Sequence, residues 1–264
     1  MSALTVSIIQ ADLAWHDPTS NLSGFSEAIR SIAKKTDLIV LPEMFTTGFT
    51  MDAAANADRM NGEAMQHMKQ WAAKTKAAIC GSLIINDGSK HFNRLVFMRP
   101  DGHFDCYDKR HLFRLAGEVE HYTAGDRQVV IEWRGWRICP QICYDLRFPV
   151  WSRNSKDLNY DLLLYVANWP SRRHHAWQTL LRARAIENLC YVAGVNRTGT
   201  DGNALPYAGG SAIIDYLGHD VADLGDRVGN ATATLDKSSL QKFREKFPFH
   251  IDADRFSINQ EPSS

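Results

Sequence analysis

What this sequence lacks narrows its function before any motif is weighed. It has no apolar run approaching the roughly 18 residues that a membrane-spanning helix needs. Neither charge sign is in excess: 30 basic and 30 acidic side chains cancel. There is thus no overall field to draw in nucleic acid or an anionic membrane, and a small substrate fits better than a polyanion. The opening stretch MSALTVSIIQADLAWHD has neither the basic start nor the cleavage site of a secretory signal, so the expected location is cytoplasmic.

Cysteine is scarce and irregularly spaced, with five residues at 80, 106, 139, 143 and 190 in a chain of 264. An odd number in a chain this long points away from a disulfide scaffold and toward free thiols, which are usually small buried hydrophobes. A metal site is not expected. Cys139 and Cys143 are spaced C-x3-C and lack a second ligand pair, while His174 and His175 adjoin and cannot readily share one ion. Also missing are G-x-x-x-x-G-K-S/T, a strand followed by G-x-G-x-x-G, and G-x-S-x-G. Without them the phosphate, dinucleotide and serine hydrolase readings have no signature, and no cofactor is implied.

What is present is an ordinary globular composition, 44% hydrophobic and 23% charged, with strand-like and helix-like segments in alternation. Strands are expected over 4–13, 37–43, 77–85, 91–100 and 103–109, and helices over 21–36 and 61–76. The second half repeats the rhythm with strands in QVVIEWRG, WRICPQICYD, 161–168 and 190–197, a short helix near 148–155 and a long one over 175–189. Later strands are expected around 208–216 and 231–235, with a helix near 237–245. Buried and alternating strands together, with no linker between the halves, predict one α/β domain of stacked layers over 1–245. The aromatics of the remaining tail, 246–264, would pack on the body or on a partner subunit.

Three ionisable groups close apolar strands: Glu43 ends DLIVLPE, Lys109 ends HFDCYDK and Cys143 ends WRICPQIC. Such groups are costly to bury singly, so one reading is a Glu43–Lys109 ion pair at a sheet rim beside a core cysteine. The other is chemical. A free thiol is mostly protonated at neutral pH, a neighbouring ammonium would lower its pKa, and a carboxylate in an apolar site becomes a better base. Cys143 could then attack a carbonyl or nitrile carbon, Glu43 move the proton and Lys109 support the developing negative charge.

The blocks LPEMFTTGF (41–49), YDKRHLF (107–113) and ICYDLRFP (142–149) resemble, in order, the three signature blocks of the nitrilase, or carbon-nitrogen hydrolase, superfamily. The resemblance spans most of residues 4–235. It implies a four-layer α-β-β-α sandwich, a Glu-Lys-Cys triad of Glu43, Lys109 and Cys143, no cofactor, and a homodimer. It also implies a second glutamate seven residues before a glycine. Glu118 has that spacing to Gly125 and would hold Lys109, the alternative being a solvent-exposed loop carboxylate. The N–H of Tyr144, next to the nucleophile, would be an oxyanion donor.

The short CYDLRFP block and the stretch VANWPSRRHHAWQTLLRARAIENLCYVAGVNRTG (166–199) are similar to the Nit branch and its bacterial ω-amidase type. Those enzymes release ammonia from 2-oxo dicarboxylic acid monoamides such as 2-oxoglutaramate and 2-oxosuccinamate. A substrate of that kind has a remote carboxylate, for which Arg147, Arg172 and Arg173 are candidate partners. Arg147 could equally pair with Asp145 or Glu187, and Phe45 and Trp169 could be pocket walls or plain core. A nitrilase, an N-carbamoyl or aliphatic amidase, and a catalytically silent interaction module stay open as rivals.

The two neighbouring cysteines have unequal expected roles. Cys143→Ala should stay folded and lose turnover, whereas Cys139→Ala should keep most of it, with ammonia release from an amide as the readout.

Overall fold

A computed structural model describes residues 3–32, 35–254 and 256–258. The chain begins with β1 (Ala3–Gln10), β2 (Leu38–Val40), β3 (Ala78–Asp87), β4 (Lys90–Met98) and β5 (Phe104–Asp108). It continues through β6 (Ile131–Trp133), β7 (Trp136–Ile142), β8 (Leu162–Val166) and β9 (Tyr191–Val195). A short hairpin, β10 (Thr198–Thr200) and β11 (Pro206–Ala208), precedes β12 (Ala212–Ile214), β13 (Asp220–Asp223) and β14 (Gly229–Asp236). One six-stranded sheet has the order β14-β1-β2-β3-β4-β5, and a second has β13-β12-β9-β8-β7-β6. The β10–β11 hairpin belongs to neither.

Period-two alternation explains the layering. Leu4, Val6 and Ile8 of β1, Leu38 and Val40 of β2 and Ala78 and Cys80 of β3 share one buried cluster with the second sheet. The intervening Ile9, Ile39 and Ile79 face the other way, onto Phe25, Met68 and Trp71. Those three side chains lie on the helices Pro18–Arg30 and Glu63–Thr75, whose apolar residues recur at helical spacing. Trp177, Leu181 and Ala185 of the helix His174–Asn188 cover the second sheet. The result is the expected α-β-β-α sandwich.

Boundaries differ from the expectation where caps decide them. The first helix starts at Pro18 because Asp17 accepts a hydrogen bond from the Ser20 N–H, and it ends at Arg30 rather than residue 36. The short helix near 148–155 covers only Pro149–Ser152, and the strand expected over 208–216 only Ala212–Ile214. Beyond the helix Lys237–Lys246, ring contacts run from Phe243 to Phe247 and on to Phe249. Phe247, Ile251 and Phe256 keep half or more of their surface open. The expected tail also includes residues 255 and 259–264, which lie outside the described residues.

Strand direction decides where a site can form. β1, β2 and β3 are parallel, β4 and β5 each reverse, and so β5 runs with β2. β7, β8 and β9 are likewise parallel to one another. The carboxyl ends of parallel strands are where α/β proteins leave crevices for ligands.

The C-terminal helix is tied down by Asp161, which accepts hydrogen bonds from the Arg137 N–H at 3.1 Å and Arg244 Nη1 at 3.1 Å, and pairs with Lys237 Nζ at 2.7 Å. Removing a buried carboxylate leaves both cations without a counter-charge. Asp161→Ala should therefore cost about 3 kcal/mol, read as a lower urea midpoint.

Candidate active site

Glu43 lies just past the end of β2. Leu41 N–H still donates to Cys80 O at 2.7 Å, and then Met44 takes a left-handed φ of 43° that turns the chain. Ser82 fixes that turn, its hydroxyl accepting from Met44 N–H at 2.9 Å and its carbonyl from Phe45 N–H at 3.1 Å. The Glu43 carboxylate is fully buried. Its Oε1 accepts from Asn93 Nδ2 at 2.7 Å and Lys109 Nζ at 3.0 Å, and its Oε2 from the Asn168 N–H at 2.7 Å.

Lys109 directly follows β5. Its ammonium donates to Glu43 Oε1 and to both Glu118 oxygens, each of the latter at 2.9 Å, and the Phe49 ring centre lies 5.0 Å away. An ammonium has three donors, and here three carboxylate oxygens take them. Burial works against the charge, but Glu118 and Glu43 outweigh it and Lys109 is held above its ordinary pKa.

Glu118 lies in the short helix Glu118–His121 and is fully buried, so the exposed loop reading is set aside, while Glu120 is the exposed member of the pair. Burial, followed by the opposing pull of Lys109 and the like charge of Glu43, leaves its carboxyl raised above the usual range. The Phe113 N–H also donates to it, at 2.5 Å. Gly125 explains the seven-residue spacing. Its N–H donates to Lys109 O at 2.8 Å, and a Cβ there would collide with the carbonyl oxygen of Asp108.

Cys143 directly follows β7 and opens the 3-10 turn Cys143–Arg147, with its own φ at 45° in the left-handed region. A side chain held there stores on the order of 1–3 kcal/mol, a strain typical of residues presented to a ligand. The thiol is raised well above its ordinary pKa by burial and then by Glu43, with Lys109 pulling the other way. Lys109 acts on the thiol in the expected direction, but burial and Glu43 outweigh it. Of the charged groups around the thiol, Glu43 acts on it most strongly. Cys139 is buried within β7 itself, and neither Glu43 nor Lys109 is among the groups acting on its thiol.

Lys109 and Cys143, with Glu43 and Glu118 buried behind the lysine, line a cavity of about 610 Å³. Tyr144 and Trp169 line it, and the Arg147 guanidinium lies 4.8 Å above the Trp169 ring. Arg147 does not pair with Asp145 or Glu187; Glu187 is taken by Arg184 at 3.0 Å. Arg172 and Arg173 also reach the cavity, and among the described residues no ion pair involves any of the three arginines. Arg173 is held below its ordinary pKa by burial and by the like charges of Arg172 and Arg147. The Tyr144 N–H sits in the first turn of its 3-10 helix, where no intrahelical acceptor exists.

One expected wall is misplaced. Phe45 is fully buried against Phe25 and Trp71, away from the cavity, and the ring that lines it is Phe49 of the same block. Two asparagines of the site escape sequence reasoning. Asn93 and Asn168 orient the Glu43 carboxylate, and Asn168 O faces Cys143 Sγ at 4.0 Å. Neither occupies a position that charge or periodicity marks, although Asn168 closes the strand-like run 161–168.

Comparison with known proteins agrees with this geometry. The profile of the family described as Carbon-nitrogen hydrolase matches residues 5–245. The chain belongs to the carbon-nitrogen hydrolase family. Among its relatives in that family, Omega-amidase YafV of Yersinia enterocolitica is 51% identical over 259 residues, covering 98% of this chain and 100% of the relative. The 2-oxoglutaramate amidase of Bacillus subtilis is 33% identical, covering 94% and 96%. The crystal structure of XC1258 from Xanthomonas campestris, a CN-hydrolase superfamily protein with an arsenic adduct in its active site, superposes with a TM-score of 0.96 at 45% identity. The match covers 98% of this chain and 100% of that one. As a member of that family, this protein is a hydrolase of carbon-nitrogen bonds.

The two phenylalanines of the first block should separate cleanly. Phe45→Ala should lose about 3–5 kcal/mol of stability in urea unfolding, the cost of an emptied core position. Phe49→Ala should lose less stability and instead change substrate KM in steady-state kinetics.

Proposed function

We propose that this protein is an ω-amidase that hydrolyses the distal amide of 2-oxo dicarboxylic acid monoamides, 2-oxoglutaramate and 2-oxosuccinamate, to the acid and ammonia. The observation that carries the reading is a buried Glu43–Lys109–Glu118 cluster beside Cys143, at a cavity whose three arginines have no ion pair among the described residues. The arginines supply counter-charge for a carboxylate remote from the reacting amide. The names of the relatives in Yersinia enterocolitica and Bacillus subtilis support the same substrate class.

In the proposed mechanism, Cys143 Sγ attacks the amide carbon while Glu43 removes the thiol proton. Glu43 returns that proton to the nitrogen, the C–N bond breaks, and ammonia leaves behind a Cys143 thioester. Water then attacks the thioester as Glu43 takes its proton, and the sulfur departs and is reprotonated. The negative oxygen of both tetrahedral states is met by the Tyr144 N–H and the charge of Lys109. Because Glu118 engages Lys109 with both oxygens, one of those hydrogen bonds can turn to the oxyanion without stranding either partner.

The same reading places the enzyme in the cytoplasm as a homodimer, with a hydrolase domain over 1–245 and a tail over 246–264. Five free cysteines support a reducing compartment. Val150, Ile186 and Leu217 are exposed apolar residues on the helix-covered side of the second sheet and support a subunit contact there.

A panel of amides, nitriles and N-carbamoyl compounds tests the substrate. Ammonia should be released from 2-oxoglutaramate in preference to the rest, and release from a nitrile but not from 2-oxoglutaramate would refute the reading. Glu43→Gln, which keeps the shape but not the base, should lower kcat by roughly a hundredfold to ten-thousandfold.

A further inference from the structure

Asp145 is a fully buried carboxylate two residues after the nucleophile, and the proposed mechanism gives it no task. Its Oδ2 accepts from Tyr107 Oη at 2.7 Å and from the Ile142 N–H at 3.0 Å. Its Oδ1 accepts from the His111 N–H at 3.0 Å and from His111 Nδ1 at 2.8 Å, so Nδ1 carries the proton. Two carboxylate oxygens offer about four lone pairs, and four donors fill them. Asp145 therefore has no capacity left for substrate or for Arg147.

The donors come from significant places. Tyr107 and His111 stand two residues before and two residues after Lys109, and Ile142 immediately precedes Cys143. The His111 ring is itself held, stacked on Phe148 with centroids 3.8 Å apart, and Tyr107 Oη accepts from Trp151 Nε1 at 2.9 Å. One carboxylate thus joins the chain on both sides of the lysine, in the first sheet, to the strained turn of the nucleophile at the end of the second.

We propose that Asp145, gripped by Tyr107, His111 and the Ile142 amide, is the positioning residue that sets the Cys143 turn in register with Lys109. It touches neither substrate nor reacting atoms. Its effect is on the fraction of molecules in which Sγ, Glu43 and the substrate carbon line up, and so it acts on kcat rather than on binding. Misplacing a reacting group by an ångström can cost about a hundredfold.

The inference rests on the amidase reading only for its kinetic assay, and substitution at the donors avoids emptying a buried charge site. On any amide the wild-type enzyme hydrolyses, His111→Leu and Tyr107→Phe should each lower kcat about tenfold or more, with KM within about twofold. His111→Gln, whose amide can still donate to Asp145, should recover most of the loss. Iodoacetamide alkylation of Cys143, followed by mass spectrometry with Cys143→Ala as the blank, should slow in the same order. Wild-type kcat and alkylation rates in both variants would overturn the proposal. So would a loss that His111→Gln does not recover and that follows melting temperature. If no amide is hydrolysed, the amidase reading fails while alkylation alone still decides the role of Asp145.

Discussion

A lysine ammonium buried between two sheets is tolerable only if carboxylates meet it, and much of this molecule is arranged to make that meeting possible. Lys109 needs Glu43 and Glu118 to offset its loss of water, and each glutamate would be costly to bury without it. The three residues come from separate parts of the chain, so the cluster forms only when β2, β5 and the short helix at 118–121 are all in place. The thiol is a passive member of this arrangement. Its surroundings hold its pKa well above the ordinary value, and in the proposed mechanism it becomes a nucleophile only as its proton passes to Glu43.

Parallel strand direction is what brings the parts to one edge. β2 and β5 of one sheet and β7 and β8 of the other deliver Glu43, Lys109, Cys143 and Asn168 past their carboxyl ends. Left-handed backbone at Met44 and Cys143 then swings the chain away directly after Glu43 and at Cys143 itself. Neither residue is glycine, so the surrounding hydrogen bonds must hold both turns against an intrinsic preference. Ser82 does this for the first.

Much of this was legible in the sequence because it depends on short-range pattern. Alternation marks which residues of β1, β2 and β3 face the opposite sheet, and ionisable groups at the ends of apolar runs mark Glu43, Lys109 and Cys143. The family's glutamate-to-glycine spacing, supplied by the resemblance, separates Glu118 from Glu120, and the structure gives the reason for the glycine, which lies against the backbone beside Lys109. The failures share a physical cause, which is orientation in three dimensions. Phe45 and Phe49 are four residues apart, and only the turn at Met44 decides which ring reaches the cavity. Asn93 and Asn168 are uncharged and sit in or beside apolar strands, so nothing local distinguishes them from ordinary ladder residues. The direction of the Cys143 pKa shift could not be read from residue types, because it is set first by how deeply the thiol is buried and then by its distance from Glu43 relative to Lys109.

The wall of the cavity opposite the strand ends is of a different kind. Tyr207, Leu205 and Asp201 reach it from the β10–β11 hairpin and its connecting loop, which form a separate two-stranded sheet tied to the end of β1 by the Thr198 N–H donating to Ala11 O at 3.0 Å. Apparatus and mould are therefore separable in evolutionary terms. Substitutions at the cavity-facing residues of the hairpin can reshape the space a substrate must fill while leaving β2, β5 and β7, which carry Glu43, Lys109 and Cys143, in place. A fold built this way can keep one reaction while exchanging the molecules on which it is performed.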